Sequence, residues 1–106
     1  MSTTVHVTVK TKADSFDAMH NYAKEDLAFT REFEGCHSIH ASSDKATNTI
    51  KMVSVWDSKE AYMAYFEKRG ERSGDKFAAW LEPDGITLEF HTTDDWGYGA
   101  DYTPKK

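Results

Sequence analysis

The spacing of hydrophobic residues changes along the chain, and each change marks a predicted element. Alternation of Val5, Val7 and Val9 with polar residues predicts a half-buried strand over residues 4–10. After this strand, apolar residues recur every three or four positions, which predicts an amphipathic helix of about five turns that ends at Gly35. Its inward positions are Phe16, Met19, Ala23, Leu27 and Thr30. The chain is therefore expected to begin as a strand followed by a helix.

Two extended segments follow, separated by a polar turn. Residues 36–43 and 48–56 flank this turn and predict a β-hairpin. The second segment has apolar residues on both faces, a pattern typical of a central strand that is covered on both sides. One face carries Ile50, Met52, Ser54 and Trp56, and the other carries Lys51, Val53 and Val55.

A second helical region begins after this hairpin. Asp57 is followed three residues later by Glu60, which predicts a capping box at the start of a helix. The predicted inner face of this helix consists of Tyr62, Tyr65, Phe66 and Arg69. We expect Gly70 and Gly74 to interrupt it, and a short helix through Phe77, Trp80 and Leu81 to end at Pro83-Asp84-Gly85. Alternation at Ile86, Leu88 and Phe90 then predicts the last strand.

The order strand, helix, strand, strand, helix, strand predicts an α+β fold of the ferredoxin-like, split βαβ type. Four antiparallel strands would form one sheet, and two main helices would cover only one of its faces. The uncovered face would carry Val53 and Val55 beside polar side chains, so we expect a second copy to cover it in a homodimer with sheet-on-sheet packing. The predicted domain spans residues 1–92.

Residues 93–106 form a tail with an unusual composition. It combines Trp96, Tyr98 and Tyr102 with glycines and aspartates, and no regular element fits it. A disordered tail usually contains fewer aromatic residues. We expect the tail to pack on the dimer partner, with a free tail or a lid over a pocket as the alternatives.

Composition narrows the classes of function. The 106 residues suit one domain, and 13 Lys and Arg against 18 Asp and Glu give a net charge of −5, so we expect no nucleic-acid partner. No apolar run reaches the ~20 residues of a membrane span, and the N-terminus does not resemble a signal peptide. We therefore expect a cytoplasmic protein. Cys36 is the single cysteine, which excludes a disulfide within the chain.

The segment Trp56–Tyr62, with the sequence WDSKEAY, resembles the antibiotic biosynthesis monooxygenase superfamily, as does the Gly35-Cys36 pair after the first helix. Tyr65, Arg69 and Glu71 extend the resemblance to a subgroup of quinol monooxygenases. The resemblance implies a dimeric α+β barrel. It also implies oxidation of a small aromatic substrate (a quinol, an anthrone or a polyketide-like phenol) by dioxygen without a cofactor, in a pocket between the sheet and the helices.

The resemblance also implies roles for individual residues. Trp56 would form the pocket wall, and Tyr62 and Tyr65 would transfer protons or bind oxygen. Arg69 would hold an anionic substrate oxygen. Two positions depart from related enzymes, because Met52 replaces the Asn of anthrone-oxidising members and Tyr65 replaces the His of many quinol-oxidising members. From its place beside the apolar stripe of the first helix, His20 could border the pocket.

Each of these residues also has an ordinary structural interpretation. Trp56 and the two tyrosines could be core residues whose polar atoms are satisfied, and Arg69 could form an ion pair with Glu71 or Asp75. Two alternatives to an enzyme follow. The absent Asn and His favour a non-catalytic dimer that binds small ligands, and a filled core without a cavity would indicate a purely structural dimer.

Five histidines raise the question of a metal, and we expect none. On a strand, His37 and His40 point to opposite faces and cannot chelate together. His6 and His91 share the polar face of neighbouring strands, so a site completed by His40 of the partner subunit is conceivable. Residues 57–72 contain no His, which argues against haem ligation.

Overall fold

A computed structural model describes residues 2–94 and has the predicted βαββαβ order. The elements are β1 (Thr3–Thr11), α1 (Phe16–Arg31), β2 (Cys36–Asp44), β3 (Thr49–Trp56), α2 (Lys59–Trp80) and β4 (Leu81–Thr92). One 3₁₀ turn, Lys45–Thr47, joins the two strands of the hairpin. The tail was expected to pack on a partner, but residues 95–106 of this tail lie outside the described residues.

The four strands form a single antiparallel sheet in the order β2-β3-β1-β4. This arrangement confirms the predicted ferredoxin-like fold. Val7 pairs with Met52 on one side and with Leu88 on the other, so these side chains share one face of the sheet. Both helices cover that face, and its fully or nearly buried residues include Val5, Val9, Ile50 and Trp56.

The first helix ends earlier than the sequence pattern predicts. It stops at Arg31, and Gly35 follows in a turn with a φ of +92°, in the left-handed region that favours glycine. A Cβ at Gly35 would lie 2.9 Å from the Cβ of Ala61. Gly35 therefore allows the turn to pass close to the start of α2.

The second helix differs from the prediction in two respects. Its N-terminal cap is Ser58, whose Oγ accepts a hydrogen bond from the Ala61 amide at 3.0 Å, so the predicted capping box at Asp57 is wrong. The predicted interruption at Gly70 and Gly74 is also wrong, because α2 is one continuous helix of 22 residues. Neither glycine has a neighbouring atom within 4 Å of where its Cβ would be. Both lie in open space, where glycine weakens a helix without breaking it.

The last strand starts before the predicted turn. Leu81 already pairs with Thr11, and the Pro83-Asp84-Gly85 segment lies inside β4, at an irregularity in its pairing with β1. Asp84 has a φ of +56° there. The alternation of Ile86, Leu88 and Phe90 along the strand is confirmed, because all three pack against the buried core.

The face of the sheet opposite the helices is exposed. One row across all four strands consists of His40, Val53, His6 and Glu89. Val53 retains 39% of its accessible surface, which is unusual for a valine near the middle of a sheet. Within residues 2–94, no helix is long and apolar enough to cross a membrane.

Candidate active site

A cavity of about 60 Å³ lies between the helices and the sheet. The sheet contributes Val7, Val9, Ile39, Met52 and Ser54 to its walls. Helix α1 contributes Met19, Ala23, Leu27 and Thr30, and α2 contributes Tyr62, Tyr65, Phe66 and Arg69. Most of these side chains are apolar. The few polar groups among them therefore determine what chemistry the cavity can support.

An aromatic cluster (Phe33, Trp56, Tyr62, Tyr65 and Phe66) packs at one end of the cavity. Trp56 is completely buried, and its indole Nε1 donates a hydrogen bond to Ser54 Oγ at 2.9 Å. Its ring centroid lies 5.4 Å from that of Tyr62 and 5.1 Å from that of Tyr65. Trp56 is not among the lining residues of the cavity. It packs against the two tyrosines from the side away from the cavity, as a core residue whose indole N–H has a hydrogen-bond partner.

Tyr62 lies in the cavity wall, and its hydroxyl group has a raised pKa. The residue is 3% exposed, and burial raises the pKa of its hydroxyl well above the usual value, so the phenol stays protonated. Within the described residues, no protein group forms a hydrogen bond with this hydroxyl. Every fully buried polar side-chain atom in these residues has a partner, so the Tyr62 oxygen is not one of the fully buried atoms. A protonated O–H in the wall of an apolar cavity is suited to donate a hydrogen bond to a bound ligand.

Tyr65 has a hydroxyl that is held firmly in place. It accepts a hydrogen bond from Arg69 Nε at 2.9 Å and lies 2.7 Å from Thr30 Oγ1. Either hydroxyl can be the donor in the second contact. When Thr30 donates, Tyr65 accepts two hydrogen bonds and its own proton can point elsewhere. The contact therefore permits two proton arrangements without moving a heavy atom.

Arg69 is buried and uses all five of its N–H donors within the protein. Nε binds Tyr65, Nη1 binds Asp26 Oδ2 at 2.6 Å and Ser73 Oγ at 3.1 Å, and Nη2 binds Thr30 Oγ1 at 2.8 Å and the Asp26 carbonyl at 3.4 Å. We call Arg69 with Asp26, Thr30, Tyr65 and Ser73 the Arg69 network.

The network changes the interpretation of Arg69. The predicted ion pair of Arg69 with Glu71 or Asp75 is wrong, because the carboxylate that pairs with Arg69 belongs to Asp26 on α1. A substrate oxygen could bind Arg69 only by displacing one of its present acceptors. The guanidinium is therefore arranged to orient the Tyr65 hydroxyl rather than to hold a substrate anion.

Asp26 also joins the network to the surface. It binds Arg72 through Nε and Nη2, both at 2.8 Å, and these hydrogen bonds, with those from Arg69, hold the pKa of the carboxyl well below its usual range. Tyr22 donates to Asp26 Oδ2 at 3.2 Å and also forms a short hydrogen bond with Ser73. Asp26 and Ser73 were not among the residues predicted from the sequence. Their spacing of four from Thr30 and Arg69 places them on the same helix faces and could have indicated them.

The remaining predicted residues lie at the side of the cavity. Met52 lines both the cavity and a neighbouring groove of about 190 Å³. His20 lines only the groove, and its ring stacks on Phe16 at 5.5 Å. His20 therefore borders the space next to the cavity rather than the cavity itself.

The other histidines lie away from the cavity. His6 and His91 are neighbours on the exposed face, with ring centroids 5.4 Å apart, while His37 pairs with Asp57. In the part of the chain that the structure describes, no three His, Cys, Asp or Glu side chains are grouped so that they could hold a metal ion.

The chain belongs to the antibiotic biosynthesis monooxygenase family, whose model matches residues 2–82. No match is found among the curated proteins. Several solved structures share the fold at low sequence identity. The PA3566 protein of Pseudomonas aeruginosa has a TM-score of 0.75 and 14% identity over 89% of this chain and 95% of that one.

Two further structures give the same result. The NE2512 protein of Nitrosomonas europaea, described as of unknown function, has a TM-score of 0.74 and 12% identity over 92% of this chain and 96% of that one. MupZ of Pseudomonas fluorescens has a TM-score of 0.68 and 14% identity over 85% of this chain and 66% of that one. At these identities the likeness establishes the fold alone.

Proposed function

We propose that this protein is a cofactor-independent monooxygenase that oxidises a small quinol-like phenol with dioxygen in the cavity between helices and sheet. The observation that carries the proposal is the pair of tyrosine hydroxyls in a mostly apolar wall. Among residues 2–94, the Tyr62 hydroxyl has no hydrogen-bond partner, and the Tyr65 hydroxyl is held by Arg69 and Thr30. Membership of the monooxygenase family supports the type of reaction.

The reaction draws its electrons from the substrate. A hydroquinone and one dioxygen give a hydroxyquinone and one water, so that one oxygen atom enters the ring and the other leaves as water. Loss of a phenolic proton makes the ring electron-rich enough to reduce dioxygen and form a ring-bound peroxide. Loss of the ring C–H proton and cleavage of the O–O bond then leave a carbonyl and release water. No flavin or metal is needed for this balance.

The tyrosines have different roles in this proposal. The phenolic proton of the substrate passes to water when the phenol ionises. Tyr65 then donates a hydrogen bond to the phenolate oxygen from a hydroxyl whose position Arg69 and Thr30 define. Tyr62 donates a hydrogen bond to the peroxide oxygen, for which its hydroxyl is suited because burial raises its pKa and favours the protonated form. Trp56 and Arg69 are positioning residues that hold the two tyrosines. The surrounding apolar wall limits access of water to the peroxide.

The size of the cavity favours a one-ring substrate over an anthrone or another polycyclic compound. Its volume of about 60 Å³ is smaller than the roughly 150 Å³ of a cavity that encloses benzene. Even one ring therefore requires side chains at the wall to move. Met52, where an Asn would offer an amide, adds no polar contact for a second oxygenated ring.

The test is dioxygen uptake with hydroquinone and metal-stripped protein. We expect Tyr62→Phe to lower kcat/KM by about 100-fold, the scale of a lost proton donor in a transition state. Met63→Ala changes the exposed residue next to Tyr62 and should leave the rate unchanged. Uptake at the spontaneous rate with folded wild-type protein would contradict the proposal.

A non-catalytic ligand-binding protein is the second candidate. The full use of Arg69 donors within the protein favours it, because none of the described residues leaves a free cationic group in the cavity wall to stabilise a developing anion. On this alternative, hydroquinone binds without any dioxygen uptake, and Tyr62→Phe weakens binding only.

We also propose that a second copy of the chain covers the exposed sheet face in a homodimer. The exposed valine in the middle of this face supports the proposal, because burying Val53 would remove apolar surface from water. We expect sedimentation of wild-type protein to give the mass of two chains. Val53→Glu should give one chain, while Met63→Glu on the solvent side of α2 should remain dimeric; a monomeric wild type would contradict the proposal.

A further inference from the structure

The groove beside the cavity is separated from it by a single layer of side chains. It lies between α1 and the β2–β3 hairpin and has a volume of about 190 Å³. Ala23, Leu27 and Met52 line both spaces. The larger space is therefore reached from the smaller one by moving these side chains, without unfolding a helix or a strand.

Met52 is suited to be the movable part of this layer. It is half-buried on a central strand, and its unbranched side chain can turn about several bonds. Ala23 is too small to change the opening by rotation. Since the cavity alone is smaller than one aromatic ring requires, a substrate that reaches the two tyrosines needs space of the kind that the groove provides.

The charged side chain at the edge of the groove is basic, and the other polar groups there are a histidine and two serines. His20, Lys24, Ser42 and Ser43 lie at its edge, above an apolar base that includes Ile50. None of the described residues that line the groove is acidic, although acidic residues outnumber basic ones in the chain, 18 against 13. Within residues 2–94, Lys24 forms no ion pair, whereas the nearby Lys45 is paired with Asp17. The edge of the groove is thus suited to a negatively charged group.

We propose that the cavity and the groove form one substrate site and that the substrate is a phenol with a carboxylate side chain. The ring lies against Tyr62 and Tyr65, Met52 turns to admit the side chain, and the carboxylate binds at Lys24 and His20. Lys24 is then the residue that determines the preference for acidic substrates. The phenolic nature of the ring rests on the proposed function; the acidic subsite rests on the groove.

The test of the acidic subsite is calorimetric binding in the absence of dioxygen, with dihydroxyphenylacetate and its methyl ester as probes. The two probes share the same ring and differ in charge. We expect wild-type protein to bind the acid about five-fold more tightly than the ester, the scale of one exposed charge pair. Lys24→Gln should remove this preference. Lys68→Gln, which alters a lysine that pairs with Glu71 on α2, should retain it.

Two outcomes would overturn the acidic subsite. One is equal affinity of wild-type protein for the acid and the ester, and the other is a preference that persists in Lys24→Gln. Because these measurements exclude dioxygen, they are independent of catalysis. Acid-selective binding without dioxygen uptake would contradict the proposed monooxygenase but support the subsite, whereas uptake with hydroquinone and no acid preference would do the reverse.

A second variant tests the connection between the two spaces. Met52→Ala removes most of the layer between them, so dihydroxynaphthoate, which has two rings, should bind at least about ten-fold more tightly to this variant than to wild-type protein. Unchanged affinity in a folded Met52→Ala protein would show that Met52 does not limit the site and would overturn the proposal. Circular dichroism establishes that the variant is folded.

Discussion

The aromatic cluster and the Arg69 network lie at two sides of the same cavity and differ in what they leave available to a ligand. In the cluster, contacts are between ring faces and edges, and the Tyr62 hydroxyl has no protein partner in the described residues. In the network, every donor of Arg69 is matched to an acceptor. Tyr65 belongs to both.

This difference indicates where chemistry can occur. A group that is fully hydrogen-bonded inside the protein contributes rigidity, because binding a ligand would first require an existing bond to break. A hydroxyl in the cavity wall that has no protein partner gains a hydrogen bond when a ligand binds. The contact between the two regions, at Tyr62 and Tyr65, is therefore where we expect the substrate oxygens, with Trp56 and Arg69 fixing the tyrosines from either side.

The largest expected effect is on the aromatic cluster. Trp56→Ala should lower the free energy of unfolding by about 4 kcal/mol, because a completely buried indole is replaced by a cavity. Urea unfolding measures this loss. Trp80→Ala, at a partly buried tryptophan beside the core, is the matched control and should cost clearly less. Equal losses for the two variants would contradict the structural role given to Trp56.

The Arg69 network should respond next most strongly. Asp26→Ala leaves a buried guanidinium without its carboxylate, and we expect the free energy of unfolding to fall by about 2 kcal/mol, less than for a fully buried pair because Asp26 is partly exposed. Asp17→Ala, which removes an exposed pair with Lys45, should cause no measurable loss. A similar result for both variants would show that the network does not stabilise the fold.

Acidification should weaken the network in a defined direction. Because the pKa of Asp26 in the folded protein lies below its ordinary value of 3.8, its contribution is complete above that pH and is lost as the pH falls below it. The difference in unfolding free energy between wild-type protein and Asp26→Ala should shrink below pH 3.8. A difference that stays constant through the acid range would contradict this account.

The smallest effect is expected at alkaline pH. Burial raises the pKa of Tyr62 above the ordinary value of 10.0, so its contribution to stability is complete below that pH and is lost as the pH rises above it. Wild-type protein should therefore lose stability above pH 10 more steeply than Tyr62→Phe. Parallel curves for the two proteins would indicate that the Tyr62 hydroxyl is not buried.

Local patterns in the sequence were sufficient to predict the order of the strands and the fold. Alternation at Val5, Val7 and Val9 follows directly from one buried face of a sheet, and the structure confirms it. The predicted interruption of α2 is wrong because the prediction considered only the low intrinsic helix propensity of glycine. At Gly70 and Gly74 that cost of about 1 kcal/mol each is outweighed by the packing of the helix on the sheet, which buries Tyr65 and Arg69 on the other side.

The site was less predictable because its contacts join separate elements. The inward position of Arg69 follows from helical spacing, but its ion pair with Asp26 depends on how α1 and α2 cross, which no local pattern contains. Similarly, the resemblance implied that Trp56 forms the pocket wall, with a core role as the alternative. Only the structure shows that it lies behind the tyrosines rather than in the wall of the cavity.

The most direct test of the central claim is a single turnover of hydroquinone with isotopically labelled dioxygen, followed by mass spectrometry of the product. We predict a hydroxyquinone that carries one labelled oxygen atom, formed by wild-type protein and strongly reduced in Tyr62→Phe. A quinone without label, or a labelled product that forms equally fast in Tyr62→Phe, would contradict the account of a monooxygenase whose chemistry depends on the two cavity tyrosines.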